Sequence, residues 1–277
     1  MNSQSISQKA KLMHGMQFSA ICLLFAGFLF GYISEAISAF FYFLMLICCL
    51  IASGIRKNLR KSSMACRKEI VMNTLRPDRY EPDKHVSEEV VRLTGFYPKW
   101  TTIKGSDLVE TVYRGIPLTF CDLELSHSTG RSHTTDFYGT FIMLDCDREI
   151  QHAVVIREGE SSPRKIETES MEFNDRFCIT ADDLTEAMYV LTPHFMEKLI
   201  QADEYAKAKT CMKFVGKQVF IALHNYKNLF EFGNAENMYE YACLCEKDAA
   251  YIQNYIDILI ENTALFDQNR ITQKNTA

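Results

Sequence analysis

Residues 105–125 read GSDLVETVYRGIPLTFCDLEL. Two runs rich in apolar and β-branched residues, 108–113 and 116–125, flank Arg114-Gly115. Side chains alternate across a strand with a period of two, and a short connection ending in glycine closes an antiparallel hairpin. The stretch therefore predicts two paired strands and, with them, a largely antiparallel sheet.

Working outward, further strands are expected at 137–144, 152–157 and 176–180, with a polar loop, SHSTGRSHTT, over 126–135. The segment DCDREIQ (145–151) joins two of these strands. A second hairpin is expected where Gly216-Lys217 separates 209–215 from 218–224. Pro77, Pro82 and Pro98 break helix around a short helical stretch at 86–93. A helix is read over 181–189, capped by Thr180, with Asp182 and Asp183 in its first turn. Pro193 opens another helix, 193–206, behind Thr192 as its cap.

The last helix, about 235–266, carries Met238, Ala242, Cys245, Ala249, Ile252, Ile256, Leu259, Thr263 and Phe266 at alternating steps of four and three. Such a seam suits a coiled-coil partner or a helix lying on its own sheet, and the small residues in it favour the sheet. The domain reads as α+β, an antiparallel sheet with C-terminal helices.

The N-terminal part has a different composition. Residues 18–33 (FSAICLLFAGFLFGYI) and 36–55 (AISAFFYFLMLICCLIASGI) contain no charge, and only Ser34-Glu35 separates them. They are expected to form a transmembrane helical hairpin over 16–55, since backbone in hydrocarbon must satisfy its own hydrogen bonds. Gly27 and Gly31 make a GxxxG step suited to helix packing. Lys9 and Lys11 before the pair and Arg56, Lys57, Arg60, Lys61, Arg67 and Lys68 after it place both ends in the cytoplasm. The competing reading is a signal peptide cleaved near Ala36-Ile37-Ser38.

The resulting plan is a cytoplasmic N-terminus (1–15), the hairpin (16–55), a basic juxtamembrane helix (56–76) and a soluble cytoplasmic domain (77–277). Residues 1–76 carry a net +7 and 77–277 a net −12. A domain that acidic repels phosphate backbones, so no nucleic acid is expected as a partner. The basic helix is instead expected to meet anionic headgroups of a lipid bilayer, at the inner (plasma) membrane. Ten cysteines without a framework of spacings suit a reducing compartment.

Chemistry is hard to place. Cys121, His127 and His133 have the most metal-like spacing, but C-x5-H-x5-H matches no structural zinc pattern. Asp145 and Asp147 flank Cys146 as a solvated turn would, and Cys243 and Cys245, two apart on a helix, point in different directions. His194 follows a helix-starting proline. The chain has no Walker loop, dinucleotide fingerprint, HExxH or GxSxG, and no cofactor is expected.

The order of these parts resembles an uncharacterised, mostly bacterial family, domain of unknown function 3137. The resemblance lies in two N-terminal apolar segments, CRKEIV (66–71), the stretch 105–125, FYGTFIML (137–144) and above all MEFNDRFCITADDLTEAMYVLTPHFMEKLI (171–200). It implies the architecture, two membrane spans and a possible LemA-type membrane-protein partner, and it lends no catalytic residue. Three functions remain open: a membrane-anchored interaction or scaffold module, a membrane-face hydrolase using the 121–133 loop, and a small-ligand or lipid sensor.

Overall fold

Arg114 and Gly115 both take positive φ, 48° and 81°. That is the signature of a two-residue turn whose twist matches that of its strands, and Tyr113 pairs with Ile116. In the computed structural model this hairpin is the middle of an antiparallel sheet. The structure describes residues 15, 18–28, 35–130, 132–160, 162–231, 238–261 and 265–266.

The elements run α1 (Glu35–Leu75), β1 (Arg79–Glu81), α2 (Glu88–Thr94), β2 (Thr102–Tyr113), β3 (Ile116–Ser128), β4 (His133–Glu158), α3 (Met171–Arg176), β5 (Phe177–Ala181), α4 (Leu184–Val190), α5 (Pro193–Ala206), β6 (Lys209–His224) and α6 (Met238–Ile260). The strands pair β1-β2-β3-β4-β5, and β6 pairs with β4. Every pairing is antiparallel.

β4 organises the sheet. Its first part pairs with β3, its last part with β5, and β6 runs along its other edge from Thr140 to Arg157. This revises two expectations. DCDREIQ does not leave the sheet: β4 runs through it as one strand of 26 residues, and its register with β6 shifts between Asp145 and Ile150 and again before Val154. Gly216 does not turn the chain back either. Its φ of 60° serves a bulge opposite Ile150, because the long β4 partner accepts both halves of β6 in one direction. Part of the expected 126–135 loop is also strand, as Ser126, His127 and Ser128 pair with Thr135, Thr134 and His133.

Strand alternation sends Cys121, Leu123 and Leu125 of β3 to one face, where they join Val86, Val91, Phe96, Trp100, Phe137 and Phe220 in a buried cluster. Arg92 closes that side by lying 4.0 Å from the Trp100 ring centroid. The other face carries Leu118 and Phe120, and Phe120 meets the ring of Phe230 at 6.3 Å. On the same side Phe195 of α5 stands edge-on to Phe214 of β6, and Arg114 reaches Asp257 of α6 at 2.6 Å.

Helix starts follow local chemistry. Thr192 accepts a hydrogen bond from the Phe195 N–H and Pro193 opens α5, as expected. α4 begins later than expected: Asp183, not Thr180, accepts from the Glu186 N–H, because β5 keeps Thr180 in a ladder with Val155. On α6, Cys245, Ala249, Ile252, Ile256 and Leu259 of the seam are buried.

The chain divides into two units, residues 1–70 with 232–243, and residues 71–231 with 244–277. In the first, residues 18–28 are helical, and a Cβ built on Gly27 would lie 3.0 Å from the Tyr42 ring of α1. Gly31 and the expected Ser34 turn lie outside the described residues.

The transmembrane hairpin, and with it the two-span assignment to the inner membrane, is corrected. Among the described residues no helix is long and apolar enough to cross a membrane. Crossing needs both properties in one helix. Residues 18–28 rise about 16 Å, against about 30 Å of hydrocarbon. α1 is 41 residues long and runs on through Arg56, Lys57, Arg60, Lys61, Arg67 and Lys68, but over its described residues it is not apolar enough to cross.

One charge cluster gives the fold a pH dependence. Asp203, at the end of α5, receives the Thr210 hydroxyl at 3.0 Å, while Glu158 at the end of β4 receives the Thr210 N–H at 2.8 Å. Burial first, and the Glu158 charge second, push the Asp203 carboxyl up to about 6. Between its unfolded and folded pKa the folded chain binds more protons than the unfolded one, so stability falls as pH rises through roughly 4 to 6. Asp203→Asn is expected to stabilise the chain at pH 7.5 relative to pH 4.5 by about 1–2 kcal/mol, allowing for solvent screening. Urea unfolding of both forms at the two pH values checks this.

Candidate functional site

Three register rows cross β2, β3 and β4: Lys104–Glu124–Tyr138, Gly105–Leu123–Gly139 and, one step on, Ser106–Asp122–Thr140. Because side chains alternate, the first and third rows share the face opposite the Trp100 cluster. The two glycines of the middle row allow close approach. A Cβ on Gly105 would overlap the Asp122 carbonyl oxygen, and one on Gly139 would overlap that of Leu223.

After β6 the chain returns over this face. Asn225 donates its amide to the Thr140 hydroxyl at 3.1 Å, and the Tyr226 N–H reaches the Tyr138 carbonyl at 3.1 Å. The Leu229 N–H donates to Asp122 Oδ2, and the Phe230 N–H donates to Asp248 Oδ2 at 2.9 Å. Tyr226 and Phe230 both take φ of 55°, an uncommon conformation for aromatic residues. These bonds hold them there.

The result is an open groove of about 500 Å³ lined by Lys104, Ser106, Asp122, Glu124, Tyr138 and, across the gap, Tyr226 and Asn228, with Gly105, Leu123 and Thr135 completing it. Tyr226 is 72% exposed, and its ring rests 4.2 Å from that of His224. Burial pulls the His224 pKa below its ordinary value, which favours the neutral imidazole beside the Tyr226 ring. Lys104 and Glu124 stand 4.0 Å apart, a loose ion pair.

Asp122 forms the floor. It is 2% exposed, and its Oδ1 has no hydrogen-bond partner among the described residues. Burial, then the nearby Asp107, raise its pKa well above the usual carboxylate range, while the Leu229 N–H works in the opposite direction. Asp107 is itself buried and accepts from the Tyr80 hydroxyl. A buried polar oxygen left unpaired costs on the order of 1–3 kcal/mol, so a ligand that paired it would recover free energy.

The residues singled out in the sequence do not assemble. Cys121 lies in the core cluster at 0% exposure, and burial raises its thiol pKa. His127 meets Asp136 at 2.6 Å. Its register partner is Thr134, whereas His133 pairs with Ser128, so the two histidines lie on opposite faces. Cys146 donates to the Arg148 carbonyl at 3.0 Å, and a ring nitrogen of His194 meets the Glu261 carbonyl at 3.2 Å. Cys245 is buried and Cys243 half-buried. Among the described residues no group of three or more His, Cys, Asp or Glu is arranged to hold a metal ion.

Sequence reading missed the groove. Its one local signal is DLEL, where Asp122 and Glu124 occupy alternate positions of the otherwise apolar run 120–125.

No curated protein matches the chain. Among solved structures, the mycobacterial trehalose monomycolate transport factor A, TtfA, aligns over 70% of this chain and 94% of its own. The identity is 11% and the TM-score 0.39, a likeness that carries no argument about function. A family model covers β4 to the end of α6, including Thr135, Tyr138, Tyr226 and Asn228 of the groove. Residues 135–262 of this chain match the model of the family described as protein of unknown function DUF3137.

Proposed function

We propose that this chain is an interaction or scaffold module that docks a partner protein in the β2–β3–β4 groove. The observation that carries the reading is the groove itself, open and mixed in polarity, with the exposed Tyr226 ring at its rim resting against His224. Tyrosines anchored in this way give contact area at small entropic cost and concentrate binding energy at protein interfaces. The hydrolase alternative loses its support, since Cys121 is buried away from His127 and His133 points to the other face.

The test is a photo-crosslinking amino acid placed at Tyr226 in the full chain, with a control at the exposed Leu184 of α4. A discrete protein adduct is expected from position 226 and not from 184. Identical adduct patterns from both positions would overturn the docking reading. A LemA-type protein, suggested by the family resemblance, is a first candidate for the adduct.

A further inference from the structure

Resting on the docking reading, we infer that the groove seats a basic side chain, a lysine ammonium or arginine guanidinium, of the partner's peptide segment. Asp122 and Glu124 are its counter-charges, and the Tyr138 and Tyr226 rings are its walls.

Asp122 Oδ1 is the decisive atom. It is buried, without a hydrogen-bond partner among the described residues, and on the face that carries Lys104, Ser106, Glu124 and Tyr138. In the carboxylate form that oxygen only accepts and so calls for a donor, and a cationic donor makes the stronger bond. The electrostatics agree. Asp107 of β2, Asp248 of α6 and Glu231 beyond β6 all act on the Asp122 carboxyl as like charges. The Tyr138 hydroxyl feels Glu231, Asp122 and Glu124, in that order, after burial. Opposing them are Lys104, already 4.0 Å from Glu124, and Lys227, which acts on Asp248. Aromatic faces add cation–π attraction for a cation seated between them.

Binding has a proton signature. In the free chain burial and the acidic neighbours shift the Asp122 carboxyl towards its neutral form. An incoming cation favours the carboxylate, so the acid proton leaves to the buffer as the cation seats. Affinity for a basic probe therefore rises with pH, by up to about tenfold per unit while Asp122 titrates.

The experiment is isothermal titration of the full chain with hexalysine, in two buffers of different ionisation heat, at pH 6, 7 and 8. Expected are saturable binding, proton release, and an affinity that rises with pH. Asp122→Asn keeps an acceptor for the Leu229 N–H, so it is expected to fold. It should lose the proton release and weaken binding at pH 8 at least tenfold. Glu124→Gln, on a half-buried side chain, provides the same test if the Asn variant is misfolded. Lys104→Ala should tighten binding a few-fold, and Glu89→Gln on α2 should change nothing.

Equal binding by wild type, Asp122→Asn and Glu124→Gln would reduce the effect to general attraction by an acidic chain and overturn the inference. Absence of hexalysine binding would also overturn it. If the Tyr226 adduct persisted in that case, docking would stand and only its cationic chemistry would fall.

Discussion

Phe230→Ala is expected to cost about 3–5 kcal/mol of stability, the range for emptying a buried phenylalanine site. Phe230 is fully buried, edge-on to Tyr80 at 6.0 Å and tilted against Phe120 at 6.3 Å. Its ring ties three segments that are distant in sequence: β1, β3 and the return after β6. Its backbone N–H is also the partner of Asp248. Losing the ring removes apolar contact and loosens the return segment that carries Tyr226 and Asn228 into the groove. Urea unfolding should show the lower midpoint, and a crosslinker at position 226 should lose its discrete adduct. A loss below about 1 kcal/mol, far under the range for such a site, would mean that the return segment is held by its hydrogen bonds alone.

Gly139→Ala is the second large effect. The added carbon would overlap the Leu223 carbonyl oxygen and lie 2.8 Å from Asn225 Oδ1. The nearest of these atoms is backbone of β6, so relief requires moving the β4–β6 pair apart where Thr140 and Leu223 are in register. The expected cost is about 3 kcal/mol or more, at the upper end for overpacking. Gly95→Ala is the control. Gly95 has φ of 64°, and a Cβ added there would meet nothing within 4 Å, so only the left-handed conformation is penalised, at about 1 kcal/mol. Thermal melts of the two variants should therefore separate by several degrees. Equal melting temperatures would contradict the close approach of β4 and β6.

The parts legible in the sequence are those fixed by neighbours a few residues apart. Arg114-Gly115 makes a hairpin turn because both residues take positive φ. Thr192-Pro193 starts α5 because a capping hydroxyl and a proline act within one turn. The seam of α6 names buried residues because helical period is a local property. Gly216 and DCDREIQ mislead for the opposite reason. Each looks like a break locally, and each is absorbed as an irregularity by a long partner strand that the local sequence does not reveal. The apolar N-terminal segments read as membrane spans one at a time. The structure joins the second to its basic continuation in one helix, and no described helix is long and apolar enough to cross.

The candidate site is less legible than the fold. Cys121, His127 and His133 stand out through spacing, yet strand alternation sends the two histidines to opposite faces. Nothing local gathers the groove residues, because Lys104, Asp122 and Tyr138 meet only through strand register, and Tyr226 and Asn228 arrive from beyond β6.

By itself, then, the sequence determined the α+β class, the central hairpin, the α5 start and the acidic character of residues 77–277, all of which depend on local period, turn chemistry or summed charge. Tertiary structure alone decided that β4 is continuous, that Gly139 must lack a side chain and that Asp122 is buried with one oxygen unpaired among the described residues. The physical reason is that burial and pairing belong to contacts between distant segments, and a carboxyl acquires its chemistry from whatever the fold places around it.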